Sequence, residues 1–181
     1  MKRKSVLCCV SVVLLVSLQG CMGIVIGHET IRDSGSISEE IHTFTGLTAV
    51  ELATIGELDI RLGDKEELGI SADDNLLTYF EAGKDGDTLS IGTRRGVNLR
   101  PSRPVRYTLT VKGLEFIGLS SSGDATTPAL TADLFEIRVS SSGDLSVDGI
   151  EANSLDVRIG SSGDLSMDDL RAKSLTVHIS S

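Results

Sequence analysis

Three aspartates recur at a fixed interval of 20 residues: Asp124, Asp144 and Asp164, each closing a Ser-Gly-Asp triplet. Stacked one per turn, neighbouring carboxylates stand about 5 Å apart. In water each such pair repels by roughly 1 kcal/mol, and by more where solvent is excluded. A calcium ion relieves that repulsion, since it takes several oxygen ligands. Backbone N–H donors at each bend relieve it equally well. The column is therefore both a candidate calcium site and a candidate set of corner caps. A second chemistry resides in Arg94, Arg95, Arg100, Arg103 and Arg106, gathered around Pro101 and Pro104. Guanidinium forks suit anionic glycans or lipid phosphates; a solvated loop offsetting nearby acids is the plainer reading. Arg138, Arg158 and His178 form another 20-residue column beside Glu136 and Asp156, which reads as a surface ion ladder whose pairs each contribute little. His28 and His42 have no further ligand spaced to join them in a metal site, and read as solvated histidines.

The chain carries no G-x-S-x-G, H-E-x-x-H, Walker loop or G-x-G-x-x-G. Its cysteines are Cys8, Cys9 and Cys21, a set that supplies neither a disulfide framework nor a paired-cysteine zinc site. These observations predict no catalytic residue and no resident cofactor, apart from calcium at the aspartate column.

The elements that position these groups begin with a leader. Lys2-Arg3-Lys4 is a basic start, and Val6 to Leu18 is an apolar run of 13 residues. A spanning helix needs about 20 residues, so the run is too short for one, but it suits a secretion signal. Leu18-Gln19-Gly20-Cys21 then resembles the lipobox of bacterial lipoproteins. That resemblance implies cleavage before Cys21 and acylation of its thiol and new amine. Each buried CH₂ of an acyl chain contributes about 0.8 kcal/mol, so several long chains hold a protein durably. Met22, rather than Asp, follows the cysteine, which by resemblance to enterobacterial sorting points to the outer membrane.

Without the leader the chain has 14 basic against 26 acidic residues, a net charge of −12. So acidic a chain repels the nucleic-acid backbone. Residues 22 to about 40 read as a tether, with Gly23, Gly27, Asp33-Ser34-Gly35-Ser36 and Glu39-Glu40. The expected organisation is a signal peptide over 1–20, a lipidated cysteine and tether over 21–40, and one domain over 41–181.

With four Phe, two Tyr and no Trp, the core must come from Leu, Ile and Val, which favours strands. The last third repeats without a gap. Leu119, Val139, Ile159 and Ile179 form one column, and Ile137, Val157 and Val177 another. Phe135, Ile137 and Val139 alternate with Glu136 and Arg138; Leu155, Val157 and Ile159 alternate with Asp156 and Arg158. Period two means strand, and a fixed long period means stacked repeats. The expectation is an all-β fold, a parallel β-solenoid with turns of about 20 residues in the C-terminal half. Gly123, Gly143 and Gly163 are expected to supply positive φ at its corners. The first half has less regular strand-like runs: Ala49–Ala53, Leu58–Leu62, Leu68–Ser71, Thr88–Ile91 and Val105–Val111. No run of twelve or more residues after the leader has helical period.

Ile70-Ser71-Ala72-Asp73-Asp74-Asn75-Leu76-Leu77, then Leu89-Ser90-Ile91, then the serial Ser-Gly-Asp turns resemble the envelope family called putative auto-transporter adhesin, head GIN domain. The resemblance runs from about Phe44 to the end. It implies a secreted β-solenoid domain, often on lipoproteins, in a family of unknown function, and brings no catalytic residue with it. The chain departs from the pattern at Ile179-Ser180-Ser181, which opens a fourth turn and stops before its Gly-Asp. Either the sequence is truncated or something else covers that end; an uncovered strand edge invites edge-to-edge self-association.

Together these readings predict a non-enzymatic lipoprotein of the cell envelope, anchored in the membrane, with glycans or envelope proteins as partners and no nucleic acid. The first alternative is a small polysaccharide-active β-helix enzyme, against which the short chain and scarce aromatics argue. A structural or regulatory envelope subunit is the second.

Overall fold

The computed structural model describes residues 29–140, 142–160 and 162–180. The leader, the lipobox with Cys21, and His28 lie outside the described residues.

In chain order the strands are β1 (Glu29–Arg32), β2 (Ile37–Thr43), β3 (Ala49–Ala53), β4 (Glu57–Leu62) and β5 (Glu67–Asp73). A single-turn helix α1 (Asp74–Leu77) follows, then β6 (Phe80–Asp85), β7 (Thr88–Thr93), β8 (Val97–Arg100) and β9 (Arg106–Val111). The last five are β10 (Phe116–Leu119), β11 (Asp124–Thr127), β12 (Leu130–Val139), β13 (Leu145–Gly160) and β14 (Leu165–Ser180). β1 and the first half of β2 fall within the stretch that reads as a tether, and both strands are paired, with β8 and β5 respectively.

The 20-residue interval governs the C-terminal pairing. β12, β13 and β14 run parallel, with Ile137 opposite Val157 and Val157 opposite Val177. Ile137 and Val157 are buried, as strict alternation requires, because a one-residue slip would send Glu136 or Asp156 into the core. Val177 is 49% exposed, since β14 pairs only with β13 among the described strands.

The fold class is nevertheless not a parallel β-solenoid. Twelve strands form one mixed sheet, in the order β2-β5-β9-β4-β11-β13-β12-β10-β3-β7-β6 with β14 beside β13, curled round one apolar core into a nearly closed barrel. The pairs β2–β5, β5–β9 and β6–β7 are antiparallel. Among the described residues the only other sheet is the small parallel ribbon β1–β8. For β6–β7 the physical reason is local: the tight turn from Lys84 to Asp87, with Gly86 at φ +61°, makes a hairpin, which forces its two strands antiparallel. β2–β5 and β5–β9 join strands distant in sequence, whose direction no local pattern sets. The repeat covers only the last third and says nothing about strands outside it.

Curling works because β13 and β14 each run 16 residues and contribute to both walls of the sheet. β13 pairs β11 through Leu145–Val147 and β12 through Ile150–Ile159. Between the walls lie Leu52, Leu58, Ile60, Leu68, Ile91, Leu109, Ile117 and Ile137, all essentially inaccessible to solvent. Tyr107 is wholly buried, edge-on to Phe80, and its hydroxyl donates to the Ile55 carbonyl at 3.2 Å.

The corner glycines also differ from expectation. Gly123 and Gly143 are not in the left-handed region. A Cβ at Gly143 would stand 2.1 Å from the Gly123 carbonyl oxygen, and one at Gly123 would stand 2.5 Å from that of Thr54. Close stacking of one corner on the next, rather than backbone handedness, excludes a side chain there.

Candidate functional site

Period-two alternation turns every second side chain of β12, β13 and β14 outward, and the parallel register lines them up. Glu136, Asp156 and Thr176 form one outward row; Arg138, Arg158 and His178 form the next. The expected ion ladder is in place over the first two turns. Arg138 pairs with Glu136 at 2.7 Å, while Arg158 reaches Asp156 at 3.0 Å and Glu136 at 3.5 Å. The Arg138 guanidinium also lies over the Phe116 ring, 5.7 Å from its centre. Further along the same strands, Asn153 donates to Asp133 at 2.7 Å. Asn153 and Asp133 line an open groove of about 590 Å³ with Thr131, Glu151, Arg171 and Lys173.

A second groove, about 580 Å³, runs beside the ladder between Thr48, Asp87, Glu115, Phe116, Leu134 and Asp156. The Thr48 hydroxyl donates to Asp87 at 2.6 Å and, with that residue's own backbone amide, holds its carboxyl below the usual value. One oxygen of Asp156, Oδ1, is sequestered from solvent with no hydrogen-bond partner. Phe116 and Leu134 carry the apolar part of this groove, and sequence reasoning missed both. The signal was available for each. Phe116 is opposite Glu136, and Leu134 is opposite Ser154 and, one turn on, Ser174, so both stand in polar, outward columns.

The aspartate column is stacked as the spacing predicts, but the carboxylates of Asp124 and Asp144 each accept a backbone amide of the next turn. The Asp144 N–H donates to Asp124 Oδ1 at 2.9 Å, and the Asp164 N–H donates to Asp144 Oδ1 at 3.2 Å. Among the described residues no three carboxylate, histidine or cysteine groups converge as metal ligands. His42 is half-buried, 3.2 Å from Glu40 and stacked near Phe44.

The five arginines are all exposed, and the structure separates them by role. Arg94 lies 5.5 Å over the Tyr79 ring, donates to the Thr78 carbonyl and approaches Glu81 at 3.9 Å. Arg106 approaches Glu57 at 3.6 Å. Arg95, Arg100 and Arg103 make no ion pair among the described residues. They are joined by an arginine that sequence reasoning left out, Arg32, which β1 places directly opposite Arg100.

Residues 46–181 match the family described as putative auto-transporter adhesin, head GIN domain. No curated protein matches the chain significantly. Among solved structures, a putative adhesin from Bacteroides fragilis superposes with a TM-score of 0.70 at 20% identity, over 75% of this chain and 63% of that one. A putative lipid binding protein from Parabacteroides distasonis superposes with a TM-score of 0.75 at 18% identity, over 83% of this chain and 65% of that one. A putative adhesin from Parabacteroides merdae gives 0.60 at 13% identity, over 83% and 80%. At these identities the likeness is one of fold. The chain spans less than two thirds of the first two structures.

Proposed function

The chain belongs to the putative auto-transporter adhesin, head GIN domain family, and on that premise we propose that it is a non-enzymatic envelope lipoprotein whose outer sheet face binds an extended surface polymer such as a glycan. The family is adhesin-like and of unknown function, and its description suggests a surface or envelope location. Among the described residues no helix is long and apolar enough to cross a membrane. The basic start, the apolar run and Leu18-Gln19-Gly20-Cys21 support anchoring through an acylated Cys21, and Met22 supports the outer membrane.

The observation that carries the binding reading is the in-register outer face of β12 to β14. Its rows repeat at the strand spacing of about 4.8 Å. They offer carboxylate, amide, hydroxyl and guanidinium groups in lines, next to a groove with an exposed Leu134 and a half-exposed Phe116. Hydroxyl-rich polymers are held by such repeated donor and acceptor lines.

The test is binding of the acylated protein to envelope polysaccharides and outer-membrane fractions, with and without calcium. Saturable binding that falls at least about tenfold in an Arg138→Ala, Arg158→Ala double variant is expected, the loss of two charge-assisted contacts. Absence of binding to any such fraction, or cleavage of the polymer, would overturn the proposal.

One observation favours a second reading, a structural subunit that docks through an edge. β14 exposes Leu170, Leu175, Val177 and Ile179 at 42%, 49%, 49% and 73%, beside a strand edge that is unpaired among the described strands. Association through that edge should be abolished by Val177→Lys with Ile179→Lys, read by sedimentation velocity. A concentration-independent monomer in the parent protein would dismiss it.

A further inference from the structure

We propose that the ribbon β1–β8 and the four unpaired arginines around it form a docking surface for anionic phospholipid headgroups, which lays the domain against the bilayer in one orientation. The proposal rests on the anchoring reading above.

Glu29 pairs with Val97 and Arg32 with Arg100, in parallel. The ribbon's inward residues are Leu99, 8% exposed, and Ile31, packed on the core. Its outward residues, Thr30, Arg32, Asn98 and Arg100, are all exposed. Arg32 and Arg100 are thus neighbours on one face, an arrangement of like charges that is unfavourable unless an anion lies between them. Arg95 sits one turn before β8, at the end where the chain enters β1; Arg103 follows Arg100 by three residues.

Asp33, Asp73 and Asp74, the acids flanking the ribbon in the chain, make no ion pair with these arginines among the described residues and are held by neutral donors. Asp33 accepts from the Ser102 hydroxyl, Asp74 from Ser34, and Asp73 from the Gly35 N–H at 2.8 Å. The ribbon and its flanks therefore offer four guanidiniums with no ion pair among the described residues, whose planar forks match phosphate oxygens.

Position makes the occupant a membrane. Only seven residues lie between Cys21 and Glu29, a reach of at most about 28 Å over eight steps even fully extended. An anchored chain must hold this end of the molecule near the headgroups. The chain as a whole, net −12 without the leader and with these arginines counted, is repelled by an anionic surface, which favours approach through this basic face.

Two preparations separate the two claims. The mass of the membrane-extracted protein reports whether Cys21 is acylated. Independently, the mature chain carrying Cys21→Ser is floated with phosphatidylcholine vesicles, with or without phosphatidylglycerol. Each arginine is expected to contribute about fivefold to partitioning. Binding should therefore be at least about tenfold tighter with phosphatidylglycerol, weaken with salt, and lose its preference in the variant Arg32→Gln, Arg95→Gln, Arg100→Gln, Arg103→Gln. Hydrogen exchange on those vesicles should slow over Thr30–Arg32 and Val97–Arg103. Equal binding to both vesicles, a preference kept by the quadruple variant, or the same protection from inorganic phosphate alone would overturn the docking surface. An unacylated Cys21 would overturn the anchoring reading by itself, with the vesicle result still deciding the surface.

Discussion

The amide of Asp144 donates to the carboxylate of Asp124, twenty residues earlier, at 2.9 Å, and the same bond recurs from Asp164 to Asp144 at 3.2 Å. Asp124 and Asp144 therefore each cap the corner that follows, which eases the repulsion within the stacked carboxylate column without requiring an ion. Asp124→Ala should cost about 0.5–1.5 kcal/mol, the net value of one partly solvated hydrogen bond. The cost should be equal in calcium and in chelator, measured by urea denaturation. A calcium-dependent rise in Tm that Asp124→Ala and Asp144→Ala both abolish would instead establish the column as a metal site.

Gly143 answers a different constraint from the usual turn glycine. Since its Cβ would meet the Gly123 carbonyl oxygen at 2.1 Å, even Gly143→Ala should destabilise, by about 3 kcal/mol or more, at the upper end of overpacking costs. Gly86→Ala, at φ +61° with open space around it, should cost only about 1 kcal/mol of backbone strain. Thermal melts of the two variants decide it, and the reverse order would refute the stacking argument.

Val157 and Asp156 are sequence neighbours with opposite fates. Val157→Asp places an unpaired carboxylate in the core and should unfold or aggregate the domain. Asp156→Ser removes one exposed ion pair together with an oxygen that has no partner, and should change stability by less than about 0.5 kcal/mol. Circular dichroism and denaturation of the pair give a direct comparison.

Burial pushes the Tyr107 phenol well above its ordinary value of 10.0, against the smaller opposing influence of Thr54. Below about pH 10 folded and unfolded chains both keep that proton, and the stability this burial supports is present in full. Above it the unfolded chain loses the proton first, so stability falls with rising pH, by at most about 1.4 kcal/mol per unit. Tyr107→Phe should flatten that alkaline slope while costing about 1 kcal/mol at neutral pH through the bond lost to Ile55. Urea midpoints at pH 8 and pH 11 in both proteins would reveal whether the slope survives the substitution.

Several parts of the candidate sites were legible before any coordinates. The ion ladder of Glu136, Asp156, Arg138 and Arg158 follows from two periods alone, 2 and 20, because both fix which way a side chain points. Phe116 and Leu134 were equally accessible to that logic, but their apolar character argued against the outward columns in which they stand. Arg32 was not accessible at all: it lies 68 residues from Arg100, and only the pairing of β1 with β8 makes them neighbours.

The sequence by itself determined the all-β class, five strands of the first half (β3, β4, β5, β7 and β9) to within a few residues, and the register of β12 with β13 and β14, but it showed no sign of β6 or β8 and read β1 and the start of β2 as a tether. A repeat with charges on alternate residues leaves one register that keeps them out of the core. Only the tertiary structure decided that the strands before the repeat pair partly antiparallel and curl into one mixed sheet. Alternation tells which face of a strand is buried, but is indifferent to the direction of its neighbour. The same holds for the corners. Whether a glycine is there for its φ or for want of a Cβ depends on the carbonyl of another turn, such as the Gly123 oxygen facing Gly143, and a contact between turns exists only once the chain has folded.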